Sequence, residues 1–293
     1  MTKIAWVFPG QGSQEVGMGL DLLDLQTAKT KFELAEKILG WSIIETCQSD
    51  KEKLSRTLYT QPCLFVIESI LAAEMQQNSQ QPIVVAGHSL GEYVALHVAG
   101  VFDFETGLKL VKRRAELMDT VSEGKMVALI GFKRDILEGV IDQTPNVVLA
   151  NDNSPVQVVI SGTTEGVETV LSQVKAKKKV ELNVSGAFHS HLMNPVAGEF
   201  NEVLEKVDFA EAKIPVLSNV EPTATTDAAA LKKRLLQQMT KGVRWREISL
   251  QLPELGIEKV VEIGPGKVLT GLMKKTCSGL ELENINSLEK IEN

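Results

Sequence analysis

Gly87-His88-Ser89-Leu90-Gly91 sets a serine in a G-x-S-x-G pattern, a spacing that suits a nucleophile. The apolar run Pro82-Ile83-Val84-Val85-Ala86 before it reads as a strand, and the pattern from Leu90 to Val98 after it reads as a helix. A serine on a sharp turn between the two adopts a strained backbone, and flanking glycines let strand and helix come close. Its hydroxyl then stands clear, and the N–H of Leu90 points to where an oxyanion would form. The bland alternative is a glycine-rich structural turn with an idle serine; the strand and helix on either side argue against it. A serine nucleophile needs a base, and the chain has four histidines, His88, His97, His189 and His191. His88 adjoins Ser89, so its side chain should diverge from the hydroxyl. His97 lies eight residues further on, about 12 Å along the helix axis. That leaves His189 and His191, in the segment Ser185-Gly-Ala-Phe-His-Ser-His-Leu-Met. An α/β-hydrolase runs serine, then acid, then a late histidine. Neither histidine is late here, which implies a different α/β scaffold, or a dyad without a carboxylate.

A second chemical signal is an arginine on the wrong face of a helix. At 100° per residue, Phe104, Gly107, Leu108, Val111, Ala115 and Met118 form one apolar arc. Lys109, Lys112, Arg113, Glu116 and Asp119 fall on the other side, but Arg114 sits inside the arc. A buried, unpaired guanidinium is costly, so it needs an anion. An internal Asp or Glu would serve. So would a substrate carboxylate, which arginine grips through two parallel hydrogen bonds. Other glycine-rich stretches fall short of a motif. Gly10-Gln-Gly-Ser-Gln-Glu has Glu15 where a dinucleotide fingerprint needs glycine, and Gly264-Pro-Gly-Lys-Val has Val268 where a P-loop needs Ser or Thr.

The elements that must position these groups alternate. Ile4–Phe8 reads as a buried strand feeding a glycine-rich loop over 10–19. Helical patterns follow over 27–39 and 62–76, with Pro62 expected at the first position of the second, where its missing N–H costs nothing. Another helix is expected over 104–121. Strand patterns at Met126–Gly131, Val147–Ala150, Gln157–Ile160 and Lys179–Val184 then enclose helices at Arg134–Asp142 and Thr164–Lys177. Asn151-Asp-Asn-Ser-Pro reads as the turn between the middle strands. This β-α-β-β-α-β order is ferredoxin-like. It predicts an inserted subdomain over 125–186, with 1–124 and 187–293 forming one large α/β catalytic domain. In the latter, helices are expected at 192–206 and 228–240, and strands at 214–218 and 259–263.

Composition fits that class. Of 293 residues, 43% are apolar and 24% charged, as in an ordinary globular protein with a sizeable core. The net charge of −7 argues against nucleic-acid or anionic-membrane binding. A local basic patch could still meet an acidic protein; Lys175, Lys177, Lys178 and Lys179 offer one, and Lys241, Arg244 and Arg246 another. Cys47, Cys63 and Cys277 lack metal-ligand spacing and read as buried free thiols in a reducing compartment. Residues 1–9 carry no signal-peptide pattern, and no apolar run approaches the roughly 20 residues that span a bilayer. The expected location is cytoplasmic, or stromal after processing in a plastid.

Taken together, Phe8-Pro-Gly-Gln-Gly-Ser-Gln, Thr60-Gln-Pro, Gly87–Glu92, Gly186-Ala-Phe-His-Ser, Val243-Arg-Trp and Glu262-Ile-Gly-Pro-Gly-Lys-Val-Leu-Thr-Gly resemble the signatures of the malonyl-CoA:acyl carrier protein transacylases of fatty acid synthesis. The resemblance spans nearly the whole chain. It implies a hydrolase-like parallel-sheet core with a ferredoxin-like insert, in agreement with the element order. By position it implies Ser89 as nucleophile and His189, rather than His191, as base. It further implies that Gln11 and Leu90 are oxyanion-hole donors and that Arg114 holds the malonyl carboxylate. Gln238 would orient His189 through an oxygen acceptor in place of an acid. The implied partners are malonyl-CoA and acyl carrier protein, and the implied state is a monomer. No metal or redox cofactor is expected: coenzyme A is a cosubstrate, and the phosphopantetheine belongs to the partner. Rival readings are a trans-acting acyltransferase of polyketide synthesis, a thioesterase-type serine hydrolase and a carrier-docking module with a dead site.

Overall fold

The computed structural model describes residues 2–78 and 81–292. Its strands are β1 (Ile4–Phe8), β2 (Val84–Gly87), β3 (Lys125–Phe132), β4 (Val147–Ser154), β5 (Gln157–Gly162), β6 (Ala176–Glu181), β7 (Val216–Leu217), β8 (Lys259–Ile263) and β9 (Glu281–Ile285). One sheet has the order β7-β2-β1-β8-β9, and all its pairings are parallel. Such sheets are covered on both faces, which explains why β1 and β2 are apolar and buried at every position. Side chains alternate across the layer. Trp6, Phe8 and Val85 join the core under the helices Thr57–Asn78 and Phe104–Asp119. Ala5, Val7, Val84 and Ala86 join the one under Trp245–Glu254 and Val268–Thr276. The loops that leave the carboxyl ends of β1, β2 and β7 converge on one edge of this sheet, where open α/β sheets carry their ligands.

The second sheet has the order β4-β5-β3-β6, with antiparallel pairings throughout. With its two helices it has the ferredoxin-like topology that the sequence predicts. Val127, Leu129, Val158 and Ile160 pack on those helices. Met126, Ala128 and Val159, one residue out of phase, join the core of the larger layer. The small sheet is therefore fused to the body through one face. Cys47, Cys63 and Cys277 are buried and unpaired, as expected. Among the described residues no helix is long and apolar enough to cross a membrane.

Three local expectations fail. Pro62 lies inside the helix Thr57–Asn78, not at its start. This helix is buried over nearly every position from Thr60 to Met75, and that burial outweighs the bond a proline removes. Asn151–Ser154 are the end of β4, with register shifts, rather than a turn. Tertiary partners override their turn propensity: Arg134 and Arg246 bond Asp152, and Asn153 bonds His88. The helix at Thr164 stops at Gln173, and β6 begins at Ala176. The lysine run is thus an exposed edge strand; charge of this kind blocks edge-to-edge pairing.

Glu68 is an anomaly in that central helix. It is wholly buried, and neither carboxyl oxygen has a hydrogen-bond partner among the described residues. It packs so closely on Gly264 that a Cβ there would come within 2.9 Å of its Cγ. Burial, and then Glu262, push this carboxyl well above the usual range. The folded state therefore holds a proton that the unfolded chain releases near the ordinary value of about 4.3. Stability is highest below that value and is lost as pH rises toward the folded value, by about 1.4 kcal/mol per pH unit. Glu68→Gln removes the titration. Its Tm should gain on the wild type as pH rises from about 5 to about 9. A Tm difference constant across that range would contradict this account.

Candidate active site

The turn after β2 is as tight as its sequence suggests. A Cβ on Gly87 would strike the backbone of Gly91, and one on Gly91 would strike the carbonyl of Phe8. Glycine at both positions lets β1, β2 and the helix Gly91–Val98 meet without side chains between them. Ser89 sits at the apex with φ of 52°, a left-handed conformation that costs a non-glycine residue roughly 1–2 kcal/mol. Asn219, just past β7, accepts a hydrogen bond from Ser89 N at 2.7 Å and donates through Nδ2 to Gly87 O at 2.6 Å.

His189 meets this serine. Its Nε2 lies 2.8 Å from Ser89 Oγ. Its Nδ1 lies 2.9 Å from Gln238 O and 3.2 Å from Lys241 O. Both are carbonyl oxygens, so Nδ1 carries the proton and Nε2 is left to accept one from the serine. Burial, and then the charge of Arg114, pull the imidazole down to about 3. The ring is therefore neutral and ready to act as a base. His189 also has a left-handed backbone, with φ of 56°. His191 is exposed and begins a short 3-10 turn.

Arg114 is fully buried, as the helix phase predicts, and its surroundings are unusual. Its Nη1 donates to Gln61 Oε1 at 2.7 Å. Its Nη2 donates to Ser89 Oγ and Gln238 Oε1, both at 3.1 Å, and Nε has no partner among the described residues. Every acceptor is a neutral oxygen. The guanidinium also lies 5.3 Å from the Tyr93 ring centre. Its nearest charged relation is Glu92, behind Gln238, whose Nε2 donates to Glu92 Oε2 at 2.7 Å and to Ser89 O at 2.9 Å. Burial pushes Glu92 up to about 7, against the opposing pull of those bonds and of Arg114.

Ser89, His189, Arg114 and Gln61 line one small cleft of about 80 Å³, together with Gln11, Leu90, Met118, Met126, Leu182, Val184 and Phe188, and Gln238 lies behind Arg114. Leu90 begins a helix, where first-turn N–H groups have no intrahelical acceptor. Gln11 leads in from β1 and is fixed by its side chain to Thr57 Oγ1 at 3.1 Å. The arrangement can deprotonate a serine, receive an oxyanion and hold a carboxylate.

The structure thus gathers Gln11, Ser89, Leu90, Arg114, His189 and Gln238 in one place. It adds details that sequence reading missed. Gln238 meets His189 through its main-chain carbonyl, while its amide links Arg114, Glu92 and the serine carbonyl. The His88 side chain turns to Asn153 at 2.8 Å and Trp245 rather than to the serine hydroxyl, yet the residue still lines the same cleft. Gln61 was legible in part, as a polar residue next to the apolar run over 63–67 of its helix. Asn219 lies in a loop, where no periodicity could mark it. The two basic patches differ. Lys177 and Lys178 are exposed on β6, whereas Arg244 is tied to Glu247 and Arg246 to Asp152.

Comparison with known proteins bears on this cleft. Residues 5–291 match the family model described as acyl transferase domain. The chain is 55% identical over 289 residues to the malonyl CoA-acyl carrier protein transacylase of Synechocystis sp. PCC 6803, covering 99% of both. The crystal structure of a malonyl-CoA:ACP transacylase from that organism superposes with a TM-score of 0.98, at 54% identity and 99% coverage of both chains. A type II polyketide acyl carrier protein in complex with its malonyl-transacylase gives 0.93 at 34% identity, over 99% of this chain and 98% of that one.

The geometry separates the two candidate histidines by experiment. His189→Ala should lower acyl transfer by about 10² to 10⁴, the usual worth of a positioned base. His191→Ala should leave it near the wild-type rate. Equal losses in kcat would contradict the assignment.

Proposed function

The chain belongs to the acyl transferase domain family, and we propose that it works through a covalent ester on Ser89. It moves the malonyl group of malonyl-CoA to the phosphopantetheine thiol of acyl carrier protein. The observation that carries the mechanistic reading is Arg114, a buried cation beside the nucleophile with only neutral acceptors around it. A buried charge is stable when paired. A malonyl carboxylate would pair it and, by the same contact, bring the thioester carbonyl to Ser89.

Two half-reactions follow. Ser89 Oγ attacks the thioester carbon as its proton passes to His189 Nε2. The carbonyl oxygen takes up negative charge facing the N–H groups of Leu90 and Gln11. As the C–S bond breaks, the imidazolium gives its proton to the departing coenzyme A thiolate. The carrier thiol then loses its proton to His189 and attacks the ester carbon. The C–O bond breaks and the proton returns to Ser89 Oγ. Gln238 O and Lys241 O hold the imidazolium in place of a carboxylate. Nucleophile, base and oxyanion donors are all groups of the chain, so this scheme calls on no metal or redox cofactor. We place the activity in fatty acid synthesis, in the cytoplasm, and in a monomer.

Mass spectrometry of the protein after mixing with malonyl-CoA or acetyl-CoA tests the reading. The wild type should carry a malonyl adduct and Ser89→Ala none. Arg114→Ala should lose malonyl transfer, while acetyl transfer holds or rises. A site built to satisfy a polar group can reject an analogue lacking it by about 10⁴ to 10⁵, and that barrier goes with the arginine. Arg113→Ala should change neither, since Arg113 pairs with Glu199 at the surface. Equal losses for both acyl groups in Arg114→Ala would make the arginine structural, and a persistent adduct in Ser89→Ala would remove the serine from the mechanism.

A further inference from the structure

Ser89 occupies a left-handed conformation that serine does not favour, so something must hold it there. The flanking glycines permit the turn but exert no force toward it. Asn219 is the group in contact with both sides of the apex. Its side chain is fully buried, Oδ1 accepts from Ser89 N at 2.7 Å and Nδ2 donates to Gly87 O at 2.6 Å. Only this orientation of the carboxamide satisfies both, because an N–H must meet its oxygen and a carbonyl must meet its nitrogen. The backbone of Asn219 is fixed in turn: its N–H donates to Glu92 Oε2 at 3.3 Å, and its carbonyl accepts from Arg244 N at 3.0 Å.

We infer that Asn219 is a positioning residue for the acylation step, a clip that spans the nucleophile turn and sets the height of Ser89 Oγ between His189 and Arg114. The inference rests on Ser89 being the nucleophile. It carries a second consequence: the N–H of Ser89 is spent on Asn219, so it cannot join the oxyanion donors, and the hole depends on Leu90 and Gln11. Misplacing a nucleophile by about 1 Å can cost about 10²-fold in rate. Because Asn219 is fully buried and does not line the cleft, its loss should appear in the rate of ester formation and not in KM for malonyl-CoA.

Asn219→Ala removes both bonds and should slow ester formation by about 10²-fold. Asn219→Asp is the sharper test, since it keeps the shape and the acceptor for Ser89 N. It replaces the donor toward Gly87 O by a second acceptor, so two oxygens oppose each other in a buried space. A proton on that carboxyl restores the donor. The rate of Asn219→Asp relative to wild type should therefore rise as pH falls. The charged and titratable groups facing this position are Glu92 and, through Gln238, Arg114, with His189 beyond the serine. His88 stands beside the serine as well, and Asn219→Ala, which adds no charge near these groups, should show no such pH-dependent ratio.

The experiment is single-turnover formation of the malonyl ester on the full chain, quenched and read by mass spectrometry across pH, with KM measured alongside. A ratio that climbs at low pH, with KM unchanged, is the expected result. A ratio independent of pH, or Asn219→Ala acylating at the wild-type rate, would overturn the inference. Absence of an ester on Ser89 in the wild type would instead sink the nucleophile assignment, whatever the variants do.

Discussion

A positive charge buried without a carboxylate on it governs this site. Arg114 lies at zero exposure among Gln61, Gln238, Ser89 and the Tyr93 ring. Each neighbour is suited to share a cation without cancelling it. Carboxamide oxygens stabilise the guanidinium enough to fold, and leave its charge available. That charge reaches the rest of the machinery. With burial it depresses His189 to about 3, so the base stays neutral. It opposes the upward push of burial on Glu92. In the proposed function, a substrate that brings its own carboxylate would complete an ion pair that the fold left open, and specificity and catalysis would draw on one interaction.

Holding such a site open requires a rigid frame. Both members of the Ser89/His189 pair have left-handed backbones. The turn around Ser89 survives because Gly87 and Gly91 bring β1, β2 and the following helix into contact, and because Asn219 closes its open side. His189 is anchored at Nδ1 by two carbonyls from the end of the helix Ala228–Gln238 and the loop after it. The small sheet contributes from its other side. Met126 of β3, with Leu182 and Val184 beyond β6, puts apolar side chains over the cleft. In the proposed mechanism those side chains would limit water near the ester until a thiol arrives.

Much of this was legible in the sequence because it is local or periodic. Ser89 shows itself through a five-residue pattern with a strand before and a helix after. Arg114 stands out because a helix has a fixed phase. The ferredoxin-like insert follows from element order alone. What escaped depends on contacts between distant segments. Asn151–Ser154 look like a turn until arginines from two other helices claim Asp152. Pro62 looks like a helix start until the burial of its neighbours outweighs its missing N–H. Gln238 acts on His189 through a main-chain oxygen, which any residue type possesses, so its identity instead reflects the amide that joins Arg114, Glu92 and Ser89. Asn219 comes from a loop more than a hundred residues from the serine it holds.

The central claim is electrostatic: burial and, after it, the charge of Arg114 keep His189 neutral, and a carboxylate bound to Arg114 relieves the second of these pressures. NMR titration of the His189 ring, in the free protein and with malonate bound, measures it directly. The account predicts a ring that stays neutral far below the ordinary value of 6.5 in the free protein, and a titration moved upward by malonate. A ring that titrates near 6.5, unmoved by malonate, would contradict it.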